Sequence, residues 1–384
     1  MEIEIGRGKS GRQAYRLADV SIVPSRRTRD PEDVDISWEI DAYRFELPLM
    51  AAPMDGVVSP ATAIEIGRLG GVGVLNLEGL WCRYEDPEPY LEEIAGLAAD
   101  GVTARMQQIY AEPVKPELIK ARIAEVKAAG AVACGSLTPQ RTVEYVKTIL
   151  EAELDLFVVQ GTVVSAEHVS RSSEPLNLKK FIRELDIPVV VGGCSSYQTA
   201  LHLMRTGAVG VLVGVGPGDA SSAPATLGVG VAQATAVADA RAARAQHLDE
   251  TGVYVHVIAD GGMVTGGDVA KAIVCGADAV MLGTPLARAA QAPGRGWNWG
   301  MGAHHASLPR GWRVPANTCG TMEQVLLGPA RSADGSSNIF GALRTSMAMC
   351  GYQTLKEFQK AELVVARRDA AAGGSATEGT VSGL

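Results

Sequence analysis

The chain has no surplus of basic charge: 35 Lys and Arg stand against 43 Asp and Glu, a formal net charge of −8. Sequence-independent affinity for nucleic acid comes from clustered cations, so a nucleic-acid partner is not expected. No apolar run approaches the ~18 to 20 residues that would cross a bilayer, which argues against a membrane partner. The opening MEIEIGRGKS lacks the basic start and apolar stretch of a signal peptide, so a cytoplasmic location is expected. The cysteines, Cys82, Cys134, Cys194, Cys275, Cys319 and Cys350, form no CxxC and no close Cys/His pairing. That spacing suggests neither a zinc cage nor a disulfide framework; small buried hydrophobes are the plain reading, and no metal site is expected. Aromatics are also few, at 5%.

What is abundant is aliphatic surface: 47% of residues are hydrophobic and 20% charged, enough for a substantial core and against disorder over most of the chain. Short runs rich in Val, Leu and Ala recur, each followed by a stretch with helical spacing. The candidate strands are 47–52, 71–75, 131–135, 154–160, 188–192, 208–214, 253–260 and 277–283; helix-like stretches lie at 60–69, 118–129, 196–206 and 268–275. Most of these strands are apolar throughout, as when both faces are covered. Eight βα units of about 30 residues, with Gly at many strand ends, favour a single α/β domain, a (β/α)8 TIM barrel over 1–366. A helical insertion at 86–115 and a long segment at 291–337 interrupt the repeat. The tail 367–384 is small and polar and is expected to be disordered.

The segment 291–337 is too long for an ordinary connection. It carries Trp297, Trp299 and Trp312 with Arg295, His304, His305 and Arg310. It reads as a lid over the barrel mouth, with an oligomer contact as the alternative, and the loop 214–230 is expected near the same mouth.

Active sites of such barrels lie at the C-terminal strand ends. After the seventh run comes Asp260-Gly261-Gly262, and after the eighth comes Leu282-Gly283. Glycine turns expose backbone N–H groups, and loops seven and eight feeding helix N-termini are the usual phosphate cradle of this fold. A tight turn is the bland reading of Gly-Gly alone; the position after strand seven, with a second glycine turn after strand eight, favours a phosphate-bearing ligand. Asp260 at that rim is placed to accept hydrogen bonds from sugar hydroxyls.

Five runs occur in order: PLMAAPMD from Pro48 to Asp55, Gly192-Gly193-Cys194, Gly214-Val215-Gly216-Pro217-Gly218, Ile258-Ala259-Asp260-Gly261-Gly262, and GADAVMLG from Gly276 to Gly283; Gly300-Met301-Gly302 adds a sixth. Together they resemble the IMP dehydrogenase/GMP reductase family. The absence of a paired CBS insertion, and the ending Asn338-Ile339-Phe340-Gly341-Ala342-Leu343-Arg344, resemble its shorter IMP-dehydrogenase-related members. The resemblance implies a purine nucleoside monophosphate at the barrel mouth. It puts Asp260 on the ribose and Gly261, Gly262 and Gly283 on the phosphate. Met301 and Gly302 fall against the purine, and Met54, Leu282 and Gly300 complete the nucleotide-binding set. It further implies NAD(P)-dependent oxidoreduction at the purine ring, with NAD or NADP as cofactor, a monovalent cation as a further ligand, and a homotetramer.

The sequence departs from that pattern in the loop after strand six. The family's catalytic cysteine falls on Ser221, a poor nucleophile unless a base activates it, and no His or Lys lies nearby in sequence. Asp219 aligns with a small polar residue that helps hold the phosphate, and a carboxylate ~4 to 6 Å from a phosphate dianion is repulsive. Ala223 and Pro224 replace the usual threonine and arginine. On the cofactor side, Gln160 stands where the dehydrogenases carry an Asp for the nicotinamide ribose, followed by Gly161. Cys194 after strand five is a distant candidate for a relocated thiol. Three readings therefore compete: a purine-nucleotide oxidoreductase using Ser221 or another thiol; a nucleotide-binding or regulatory protein that has lost redox catalysis; and non-redox chemistry on a purine nucleotide, with Asp219, Asp260 or a lid histidine as acid or base.

Overall fold

The computed structural model describes residues 2–169, 176–307 and 311–365; the expected tail 367–384 and Arg310 lie outside the described residues. Eight parallel strands close into a barrel in sequence order: Leu49–Ala51, Val72–Asn76, Cys134–Leu137, Leu156–Gln160, Val189–Cys194, Gly210–Val213, His256–Asp260 and Ala279–Leu282. The eighth closes on the first, with Val280 opposite Leu49 and Leu282 opposite Ala51. Each expected run holds or overlaps its strand. The third begins later than expected, at Cys134, because the N–H of Ala133 is taken by the Asp155 carboxylate (2.8 Å) rather than by a neighbouring strand.

The helices run over Pro60–Arg68, Pro116–Ala128, Tyr197–Met204 and Gly266–Cys275, close to the expected windows. Hydroxyl caps fix three of these starts: Ser59, Ser196 and Thr265 accept from the N–H groups of Thr62, Thr199 and Asp268. Side chains alternate across each strand. Met50, Val74, Leu156, Val158, Leu212, Ile258 and Met281 fill the barrel interior, while Leu49, Ala51, Phe157, Val191, Val257 and Val280 pack outward against the helices.

The N-terminal end of the barrel is plugged by a hairpin, Trp38–Ile40 paired with Tyr43–Phe45. Trp38 stacks on Phe45 (5.6 Å) and donates its indole N–H to His256 Nδ1 at 3.2 Å. Beside it lies a buried charge network around Asp278, which is 2% exposed. The carboxylate accepts from Arg244 Nη1 (2.6 Å), Lys356 Nζ (2.6 Å), Tyr254 OH (2.7 Å) and the backbone N–H of Val257 (2.8 Å).

The insertion forms helices Glu88–Gly96 and Val102–Ile109, and these have a small core of their own. Leu91, Ile94, Met106, Ile109 and Tyr110 close around Trp299 and Ala303 from the segment after the last strand. A fully buried tryptophan thus anchors that segment across the barrel mouth, where a lid is expected.

Candidate functional site

The C-terminal strand ends enclose a cavity of about 310 Å³. Of the expected site residues, Met54, Gln160, Gly161, Ser221, Asp260, Gly261, Gly262, Gly283, Gly300, Met301 and Gly302 all line it, and Asp219 joins them. Leu282 does not: it is 1% exposed and packs in the outer core, because the strand alternation that turns Met281 inward turns its neighbour away. The glycines are required here. Gly261 and Gly262 have φ of 81° and 75°, which a side chain rarely adopts, and a Cβ on Gly283 would stand 2.7 Å from the sulfur of Met54.

Asp260 and Gln160 top two inward-facing rows, Ile258–Asp260 and Val158–Gln160. The Gln160 amide donates to Asp260 Oδ2 at 3.1 Å, while its own Oε1 is buried without a partner. Burial pushes the Asp260 carboxyl up to about 7, against the smaller lowering effect of the Gln160 hydrogen bond. Asp55, behind the cavity wall next to Met54, is fully buried and raised to about 6, again chiefly by burial. It accepts from Tyr110 OH (2.5 Å), and Tyr110 in turn accepts from the Trp299 indole N–H (2.9 Å). One polar chain thus ties the first strand's exit, the insertion and the lid.

Both carboxyls hold protons in the folded state that the unfolded chain releases near pH 4. The ligand-free fold therefore loses stability as pH rises through the window from about 4 to about 7. Asp260→Asn removes its part of that dependence, so the variant gains on the wild type between about pH 4 and about pH 7 in thermal melts. A stability difference that is flat across that range would contradict the assignment.

The loop after strand six and the segment 291–337 are joined. Ser221 pairs with Gly311 in an antiparallel bridge, and the Trp312 indole N–H donates to the Asp219 carbonyl at 3.1 Å. These two segments therefore meet at one mouth, as expected from the sequence. The Ser221 hydroxyl accepts from the Ala223 N–H at 3.4 Å, a turn contact, and among the described residues no Lys, Arg or His lines the cavity. Cys194 is outside it: the thiol donates to the Leu212 carbonyl at 3.4 Å, is 1% exposed, and is pushed up to about 12 by burial. Neither lid histidine lines the cavity. His304 stacks on Tyr110 (3.9 Å between rings) and is pushed down to about 4, mainly by burial, which keeps it neutral. Arg295 is turned away, onto Glu88 (2.7 Å).

Sequence reasoning missed Thr138, Thr162, Thr284 and Asn298, all of which line the cavity. Asn298 donates to Thr284 Oγ1 at 3.2 Å and leaves its own Oδ1 buried and unpartnered. Thr138 and Thr284 follow strand ends, a positional signal that was available. Asn298 had only its closeness to Gly300-Met301-Gly302.

Comparison with known proteins fits this geometry. The model of the IMP dehydrogenase / GMP reductase domain matches residues 14–307. A protein of Mycolicibacterium smegmatis named as an uncharacterized oxidoreductase is 51% identical, covering 94% of this chain and 99% of its own. An inosine-5'-monophosphate dehydrogenase of Methanocaldococcus jannaschii is 26% identical over 92% of this chain and 93% of its own. The crystal structure of an IMP dehydrogenase/GMP reductase-like protein from Corynebacterium glutamicum superposes with a TM-score of 0.91 at 46% identity, covering 95% of this chain and 98% of that one.

Proposed function

Because the chain belongs to the IMP dehydrogenase/GMP reductase family, we propose that its barrel mouth binds a purine ribonucleoside or its monophosphate, and that the family's oxidoreduction at the purine ring has been lost. The observation that carries this reading is the composition of the cavity wall: Asp260 and the glycine turns of loops seven and eight line it, while Ser221, on which the resemblance puts the nucleophile, accepts from a backbone N–H and has no Lys, Arg or His beside it among the described lining residues. Binding machinery is kept where thiol chemistry is not. Acid-base chemistry by a lid histidine has no support, since both histidines lie off the cavity.

A nicotinamide cofactor fits poorly. Gln160, which the resemblance would turn toward a cofactor ribose, is committed to Asp260. Among the described residues of the cavity wall the charged side chains are Asp219 and Asp260, and neither complements a pyrophosphate. Assembly into a homotetramer is proposed on family grounds alone, and light scattering tests it. No helix among the described residues is long and apolar enough to cross a membrane.

The test is thermal melting with inosine, guanosine, IMP, GMP and XMP. A ligand at 100 times its dissociation constant raises stability by about 2.7 kcal/mol. In the proposed pose Asp260 accepts from the ribose hydroxyls. Asp260→Ala is therefore expected to weaken binding by about 1.5 to 3 kcal/mol, measured by calorimetry. Unchanged affinity in that variant would exclude the pose.

A further inference from the structure

We infer that Asp219 makes this cavity selective for a purine ribonucleoside, whose 5′ end is an uncharged hydroxyl, over the corresponding 5′-monophosphate. The inference rests on the purine-ribose reading above and concerns only the end of the ligand that meets loop six.

Three observations carry it. The first is placement. The Pro217-Gly218 backbone packs on the glycine turn of loop seven, with the Gly218 nitrogen 3.2 Å from where a Cβ on Gly261 would sit. Asp219 is the next residue and lines the same cavity as Gly261, Gly262 and Gly283. The second is that nothing neutralises it. Asp219 is exposed, and among the described residues its carboxylate has no ion pair or hydrogen bond, while the cavity wall holds no Lys, Arg or His. The third is that the loop is fixed. Trp312 holds the Asp219 carbonyl at 3.1 Å, the Ser221 N–H donates to the Gly218 carbonyl at 3.0 Å, and Ser221 is bridged to Gly311. With the backbone held on both sides, relief by swinging the loop away is opposed.

A phosphate monoester carries a charge of about −1.5 to −2 near neutral pH. Against an unpaired carboxylate on the same wall, that charge is repelled, which offsets the gain from the loop-seven and loop-eight amides. A 5′-hydroxyl meets the same carboxylate as a hydrogen-bond donor. One residue thus penalises the charged ligand and favours the neutral one.

Calorimetry on the full chain with inosine, IMP, guanosine and GMP tests this, with and without magnesium, and repeated with Asp219→Asn. The position is exposed, so the variant is expected to fold, and thermal melting of the free protein checks it. The expected result is at least a tenfold preference of the wild type for each nucleoside over its monophosphate, shrinking as salt is added. Asp219→Asn should raise monophosphate affinity at least tenfold. Monophosphate binding as tight as or tighter than nucleoside binding in the wild type would overturn the inference and leave the purine-ribose reading standing. So would monophosphate binding that needs magnesium and loses that need in Asp219→Asn, which would make Asp219 the holder of a bridging cation. Absence of binding by all four compounds would overturn both.

Discussion

With NAD and IMP supplied together, the protein should release no NADH above the uncatalysed background at 340 nm. Covalent attack on the purine needs a nucleophile poised near neutral pH. Ser221 offers a hydroxyl that accepts from a backbone N–H, with no Lys, Arg or His among the described residues of the cavity wall. Loss of a nucleophile removes several orders of magnitude in rate, each tenfold corresponding to about 1.4 kcal/mol of barrier. Cys194 does not substitute, being buried off the cavity with its thiol pushed up to about 12. Ser221→Cys alone should restore little, because Pro224 fixes its own φ and restricts Ala223 before it. Robust NADH formation by the unaltered chain would overturn the reading of a lost redox step and make Ser221 the next residue to replace.

The largest loss of stability is expected far from that mouth, at Asp278. Its carboxylate is the shared acceptor of Arg244, Lys356 and Tyr254 at the opposite end of the barrel, and Gln359 adds a fourth side-chain donor at 3.0 Å. Arg244 is itself only 6% exposed, so Asp278→Ala leaves a guanidinium buried without its counter-charge. Removing one partner of a buried pair costs about 3 to 5 kcal/mol, far more than an exposed pair contributes. Urea unfolding followed by circular dichroism measures it. A shift below about 1 kcal/mol would mean that solvent reaches the site and screens the pair.

These two ends of the barrel differ in how plainly the sequence announces them. The strands were legible because each is a short apolar run with glycine near its end, and Asp260 was legible because it ends one of them. The loop-six departures could be read directly from Asp219, Ser221 and Pro224. Leu282 was misplaced because a motif names consecutive residues, whereas a strand sends consecutive side chains to opposite faces. Trp38 and Phe45, which plug the far end, sit in strands of three residues, too short to display a period. Asp278 lay inside a quoted motif, yet its partners come from positions 244, 254, 356 and 359, and no local pattern links them. The contact of Tyr110 with Asp55 spans 55 residues and that of Trp299 with Tyr110 spans 189, so that chain too exists only once the barrel has closed.

The small core shared by the insertion and the mouth-covering segment bears on how such proteins can be recombined. Trp299 shares one buried cluster with Leu91, Ile94, Met106 and Ile109, and its indole N–H donates to Tyr110, so these surroundings come from far upstream in the chain. A chimera that imports the covering segment from a relative without the matching helices would bring a large side chain with no socket to enter, or leave a socket with nothing in it. Either mismatch has the cost of a core defect. The two stretches therefore form one packing unit, and an exchange of this barrel's covering segment is expected to fold well only when both halves travel together.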